Sequence, residues 1–140
     1  MIVKNSDFAV AASPKAAYAA VSDPKNFRAL WKFAKEIEIE APNRYTVKLK
    51  ILPFVTFTYH MHVLYLLSSV IHEGNSTDGR ATLRLEIGFA PHRIRGLTRV
   101  IATVYYVGPL EIAAGPVISS MASHVSKVLP LLVRDDVVVV

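Results

Sequence analysis

Cysteine is absent from this 140-residue chain, and its absence excludes several kinds of site at once. The protein has no disulfide, thiolate-bound zinc, iron–sulfur cluster or cysteine nucleophile. Long apolar runs are also absent, since none approaches the roughly 20 residues of a membrane-spanning helix. The first residues lack the charged and apolar regions of a secretory signal. We therefore expect one cytoplasmic domain, residues 1–140, without a transmembrane segment.

Several catalytic motifs are missing as well. The sequence contains no G-x-S-x-G, no glycine-rich phosphate loop and no H-E-x-x-H, so hydrolases, nucleotide-binding enzymes and metalloproteases lack their required residues. His60 and His62 are two apart on a predicted strand and could offer two metal ligands on one face, but no third ligand is evident beside them. We interpret these two, and also His72 and His124, as solvent-facing, and expect no metal or cofactor.

The chain is rich in apolar residues, at 52%, and carries a formal net charge of +5. The apolar excess predicts either an internal cavity or a subunit interface, and composition does not choose between them. Positive charge favours an acidic partner or simply a solvated surface. It concentrates in a predicted loop containing Arg93, Arg95 and Arg99, which could bind the phosphate of an anionic lipid or an acidic protein surface. The loop has no interleaved aromatic residues, so no specific nucleic acid is predicted.

Two short helices have clear starts near the N-terminus. Ser13 is a good N-cap and Pro14 a good first helical residue. Asp23 and Pro24 form the same pair, an N-cap followed by proline, ten residues later. Later in the chain, residues 115–133 repeat apolar side chains at helical spacing. We place the start of that final helix at Pro116, treat residues 110–114 as a lead-in turn, and expect a kink at Pro130.

The remaining segments alternate apolar and polar residues, as strands do. Residues 36–40 and 45–51 predict a hairpin in which Glu38 faces Lys48 and Glu36 faces Lys50. A first strand is predicted at residues 8–10, before the two helices, and further strands at residues 56–63, 66–73, 80–87 and 98–107. Tyr59 and Tyr106 are candidate buried phenols, whose hydroxyls must find a partner in the protein or in a ligand.

This order of elements resembles the α+β helix-grip fold of the START-like superfamily, the polyketide cyclase and lipid-transport group. In it a curved antiparallel sheet of about seven strands wraps around a long C-terminal helix. The strand at residues 98–108 leading into an apolar helix looks most like the branch named after the G subunit of carbon monoxide dehydrogenase. The resemblance implies a hydrophobic cavity between sheet and helix, and no cofactor.

By this resemblance, two groups of residues form the site. Leu30 and Trp31 are expected near the mouth of the cavity. The wall is expected to consist of Tyr45, Val47, Phe57, Tyr59, Met61, Leu83, Leu85, Tyr106, Ile118, Met121 and Val125. Each could equally be packed core, because an inward apolar residue looks the same in both cases.

The predicted function is binding of a hydrophobic small molecule of lipid, isoprenoid, aromatic or polyketide type. A cyclase or dehydratase using the same cavity is the alternative, and whether the protein is an enzyme stays open. A third interpretation is an assembly module that uses the basic loop or the valines at residues 137–140. Those valines could pair with a sheet edge or with a second copy in a homodimer.

Overall fold

A computed structural model describes residues 1–52 and 55–137, and it has the predicted α+β architecture. The helices are α1 (Pro14–Ser22), a 3₁₀ turn (Pro24–Asn26), α2 (Phe27–Leu30) and α3 (Glu111–Val137). The strands are β1 (Ile2–Val10), β2 (Ala34–Ala41), β3 (Arg44–Leu52), β4 (Val55–Tyr65), β5 (Ser69–Ser76), β6 (Thr82–Pro91) and β7 (Thr98–Val107).

All seven strands form one antiparallel sheet in the order β1-β7-β6-β5-β4-β3-β2. Every consecutive pair from β2 to β7 is adjacent, which suits their short connections. β1 pairs with β7 and completes the far edge. We call the face of the sheet that packs against α1, α2 and α3 the inner face; its side chains and the buried side of α3 form one hydrophobic core.

The predicted helix starts are confirmed. The Ser13 hydroxyl accepts a hydrogen bond from the Ala16 amide at 3.1 Å, and Pro14 begins α1. The Asp23 carboxylate accepts from the Lys25 amide at 3.1 Å, and Pro24 begins the 3₁₀ turn that leads into α2. In each case a side-chain oxygen satisfies an amide that the helix itself leaves unpaired.

The predicted register of the first hairpin is wrong by two residues. Glu36 lies opposite Lys48 and Glu38 lies opposite Thr46. Irregularities at both ends of β2 shift the pairing, and Glu40 bonds instead to Arg44 at 3.1 Å and to the Thr46 hydroxyl at 2.9 Å. Strict alternation in both strands fits either register, because a shift of two residues keeps each side chain on its own face.

The final helix begins earlier than predicted. α3 starts at Glu111, and Pro116 and Pro130 both lie inside it. Pro116 removes one backbone bond and crowds the first turn, but that turn brings Ala114 into the core, where it is fully buried. Residues 138–140, part of the predicted pairing tail, lie outside the described residues.

The apolar residues of α3 contribute to the hydrophobic core. Residues Glu111–Val133 are long and apolar enough to cross a membrane, and an 18-residue stretch of them has a mean hydropathy of 1.3. One side of the helix is nevertheless buried in the domain, including Ile118, Val125 and Leu129. This is the arrangement of a core helix in a soluble domain.

Candidate functional site

The residues predicted to line a cavity lie together in the core. Each has 2% or less of its surface exposed, except Phe57, which is half-buried. The set comprises Leu30, Trp31, Tyr45, Val47, Tyr59, Met61, Leu83, Leu85, Tyr106, Ile118, Met121 and Val125. A cavity wide enough for water would leave its wall partly exposed, so these side chains pack against one another in the structure as it stands. Their role in holding a ligand stays a prediction.

Several polar groups lie in this core, and one arrangement of them is a chain of hydrogen bonds. The Trp31 indole N–H donates to the Tyr45 hydroxyl at 2.7 Å, and that hydroxyl lies 2.8 Å from Nδ1 of His72. Nε2 of His72 lies 3.2 Å from the Val21 carbonyl oxygen. An indole only donates and a carbonyl only accepts, so Tyr45 must donate to Nδ1 and His72 must donate from Nε2. Every group in the chain therefore has a partner.

The interpretation of His72 as solvent-facing is wrong. Its side chain is fully buried, and its ring meets the Phe27 ring edge-on with centroids 4.9 Å apart. Burial lowers the pKa of His72 to about 4, although the bond to the Val21 carbonyl opposes the shift. The register explains the burial, because it places His72 between Val63 on β4 and Leu85 on β6, both of which point inward.

This chain of bonds holds the end of α1. Val21 is in the last turn of α1, whose carbonyls lack partners within the helix. His72 satisfies one of them, and the buried Asn26 amide satisfies the Ala20 carbonyl at 2.9 Å. Burial also raises the pKa of Tyr45, partly offset by the Trp31 bond, so its hydroxyl stays protonated. We assign a structural role to this series of hydrogen bonds, because it leaves none of its polar atoms free for a ligand.

That role predicts a clear loss of stability in Tyr45→Phe. The substitution removes two hydrogen bonds and leaves the Trp31 N–H and the His72 Nδ1 buried without partners. We expect the free energy of unfolding to fall by about 2–4 kcal/mol, measured by urea denaturation. Tyr59→Phe is the matched control, because it removes a hydroxyl that has no partner to lose. Equal destabilisation by the two substitutions would contradict the assignment.

Another of these polar groups is the isolated hydroxyl of Tyr59. Tyr59 is an inner-face residue of β4, opposite Val47 on β3 and Ser76 on β5. Its hydroxyl oxygen is buried and has no hydrogen-bond partner in the described part of the chain. The Tyr106 hydroxyl, by contrast, donates to the Pro109 carbonyl at 2.9 Å. Of the two candidate phenols, Tyr59 alone therefore has an unused hydrogen bond.

The environment of Tyr59 makes it a hydrogen-bond donor. Burial raises its pKa, and the nearby Tyr106 and Asp78 raise it further. The phenol consequently stays protonated over the physiological range. A buried hydroxyl without a partner costs about 1–3 kcal/mol, which a bound acceptor would recover in part.

The opposite face of the sheet carries the paired histidines of β4. His60 and His62 are both exposed there, and His60 lies 3.1 Å from the Thr77 hydroxyl. Among the described residues, no group of three histidine, aspartate or glutamate side chains is placed to hold a metal ion. His124, the remaining histidine interpreted as solvent-facing, is half-buried and bonds the Ala29 carbonyl at 2.9 Å.

Comparison with solved structures finds this fold in proteins of low sequence identity. A START superfamily protein from Mycobacterium smegmatis superposes with a TM-score of 0.69 at 16% identity, over 95% of this chain and 97% of that one. A protein from Thermus thermophilus superposes with a TM-score of 0.73 at 15% identity, over 96% of this chain and 98% of that one. The di-domain aromatase/cyclase StfQ of the steffimycin biosynthetic pathway gives 0.60 at 12% identity, over 90% of this chain and 44% of that one.

Sequence comparisons add nothing to these structural ones. No protein-family model matches the chain, and no curated protein matches it. The resemblance to the branch named after the G subunit of carbon monoxide dehydrogenase therefore stays a prediction, as does a cytoplasmic location. Element order, sheet topology and the three superpositions agree with one another. The chain has the helix-grip fold of the START-like superfamily.

Proposed function

We propose that this protein binds a hydrophobic small molecule with a hydrogen-bond acceptor, in the interior between the sheet and α3. The unpartnered hydroxyl of Tyr59 carries the proposal. It is a buried, protonated donor near Tyr106 and Asp78, and an acceptor such as a carbonyl or ether oxygen is the group it lacks. Many lipids, oxygenated isoprenoids and aromatic polyketides combine such an oxygen with a large apolar body.

Binding requires the packed interior to open, and two methionine side chains are flexible enough to make space. Met61 on β4 and Met121 on α3 are both buried in the common core. Methionine is unbranched and flexible, so it can change rotamer to fill or vacate space at low cost. We expect the two thioether chains to move when a ligand enters beside Tyr59.

The enzymatic alternative finds less support in these side chains. A cyclase or dehydratase needs a base as well as an acid inside the cavity. Burial raises the pKa of Tyr59, which makes its hydroxyl a weak general acid. The buried imidazole of His72, however, has both nitrogens bonded within the protein. Binding without chemistry is therefore the function that we propose.

The test compares two aromatic probes of similar shape, 2-acetylnaphthalene and 2-ethylnaphthalene, of which only the first carries an acceptor. Binding is followed through the fluorescence of Trp31, the single tryptophan of the chain. We expect the wild type to bind the ketone about 2–10 times more tightly than the hydrocarbon, the range that one hydrogen bond supplies. Tyr59→Phe should abolish that preference.

Tyr106→Phe is the matched control, because the Tyr106 hydroxyl already has the Pro109 carbonyl as its partner. It should keep the preference for the ketone. The proposal fails if neither probe binds, or if the preference survives in Tyr59→Phe.

A further inference from the structure

An apolar patch projects from one end of the sheet. The end of β4 and the turn that follows it place Leu64, Tyr65, Leu66 and Leu67 in solvent, and Leu67 is fully exposed, at 102%. Ile94, in the β6–β7 loop at the same end, is 61% exposed. We call the side chains of Leu66, Leu67 and Ile94 the apolar tip. Several large apolar side chains exposed at one end of a domain are typical of an interaction site.

The backbone beneath the tip is firmly held. The Leu66 carbonyl accepts a hydrogen bond from the Tyr18 hydroxyl at 2.7 Å, and the Leu66 amide donates to the Ser69 carbonyl at 2.9 Å. The Phe89 amide donates to the Ser68 carbonyl at 2.9 Å, which ties the turn to β6. The leucines are therefore presented on an ordered turn, not on a frayed segment.

A groove of about 400 Å³ adjoins the tip. It lies between the start of α1 and the β4–β5 turn, and its walls are largely apolar. Its lining consists of Pro14, Lys15, Tyr18, Leu66, Leu67, Ser68 and Phe89. The only charged group among these is the Lys15 ammonium, so the groove combines an apolar wall with a cation at its rim.

Two cations lie next to Ile94 in the chain. Arg93 and Arg95 flank Ile94 in the loop, both are exposed, and neither has an ion pair with any described residue. Arg99 was predicted to lie in the same loop, but it is on β7 and is paired with Asp7. Glu40, near the end of β2, is paired with Arg44. Among the described residues that line the groove or form the β6–β7 loop, the unpaired charges are therefore positive.

We propose that this end of the molecule docks on an anionic lipid bilayer. Apolar side chains at the tip would enter the interface while Arg93, Arg95 and Lys15 meet lipid phosphates, the combination that interfacial binding requires. A second copy of the chain fits less well, because a symmetric contact would bring the arginines of both copies together. The proposal rests on surface residues and does not depend on an interior ligand.

Vesicle co-sedimentation tests the docking surface. We expect the wild type to sediment with vesicles of equal parts phosphatidylglycerol and phosphatidylcholine, and much less with pure phosphatidylcholine. Leu67→Asp should lower the partition coefficient on the mixed vesicles about 10-fold. Arg93→Glu combined with Arg95→Glu should lower it about 30-fold or more, since each cation near the surface contributes about one factor of five.

Matched controls lie at the opposite end of the sheet. Ile112 is as exposed as Leu67, at 98%, and Lys4 and Lys50 are exposed cations. Ile112→Asp, and Lys4→Glu combined with Lys50→Glu, should change partitioning less than twofold. The proposal is overturned if the controls weaken binding equally, if neutral vesicles bind as well as anionic ones, or if Leu67→Asp merely dissociates a dimer seen without vesicles.

Discussion

Lowering the pH from 7 to 4 is expected to reduce the free energy of unfolding by about 3 kcal/mol through His72 alone. The folded protein holds this imidazole neutral down to a pKa of about 4, whereas the unfolded chain protonates it near 6.5. Between those values the unfolded state binds more protons, so stability falls as the pH falls. The contribution of His72 is complete above pH 6.5 and is lost progressively below it.

The measurement is urea denaturation of the wild type and His72→Gln at several pH values between 7 and 4.5. Glutamine keeps an acceptor and donors at the site but does not titrate. We expect it to be less stable at pH 7, with a pH dependence shallower by up to about 1.4 kcal/mol per pH unit. Asp7, Asp78 and Glu111, whose pKa values are lowered, contribute equally to both proteins. Identical slopes would show that His72 is not buried and neutral in the folded state.

A second large effect is expected at Gly74. This glycine of β5 lies opposite Met61 on β4, and a Cβ atom there would overlap the backbone carbonyl of His60. The carbonyl carbon of His60 would lie only 2.7 Å away. β4 is bonded to strands on both sides and cannot move aside easily. We therefore expect Gly74→Ala to cost at least about 3 kcal/mol, at the upper end of overpacking effects.

Gly88 on β6 provides the matched control. The nearest atom to a Cβ at that position is the Ile101 carbonyl oxygen at 4.0 Å. Gly88→Ala should therefore change stability by less than about 1 kcal/mol. Thermal unfolding followed by circular dichroism separates the two glycines. If Gly74→Ala and Gly88→Ala unfold at the same temperature, then β4 is not held as closely to β5 as described. β4 is the strand that carries Tyr59 and Met61.

Helix starts and strand positions were predicted well from the sequence, because these features depend on residues close together in the chain. Ser13 with Pro14 marked the start of α1, and the bounds of β7 were predicted as Thr98–Val107. Signals failed where distant pairing decides the outcome. The hairpin register depended on irregularities in β2, and the burial of His72 depended on strands on both sides of it.

The distinction between Tyr59 and Tyr106 shows the same limit at the candidate site. Both tyrosines were predicted to be inward phenols, and both are buried. Tyr106 obtains a partner because the chain turns just after it and returns the Pro109 carbonyl to its hydroxyl. Tyr59 is in the middle of β4, where no such turn occurs. Alternation predicts which way a side chain points, but not which atoms meet it there.

The central claim is that Tyr59 donates a hydrogen bond to a ligand bound inside the fold. The most direct measurement is the ratio of dissociation constants for 2-ethylnaphthalene and 2-acetylnaphthalene, compared between the wild type and Tyr59→Phe. We predict a ratio of about 2–10 for the wild type and about 1 for the variant. A ratio that is the same in both proteins would contradict the claim.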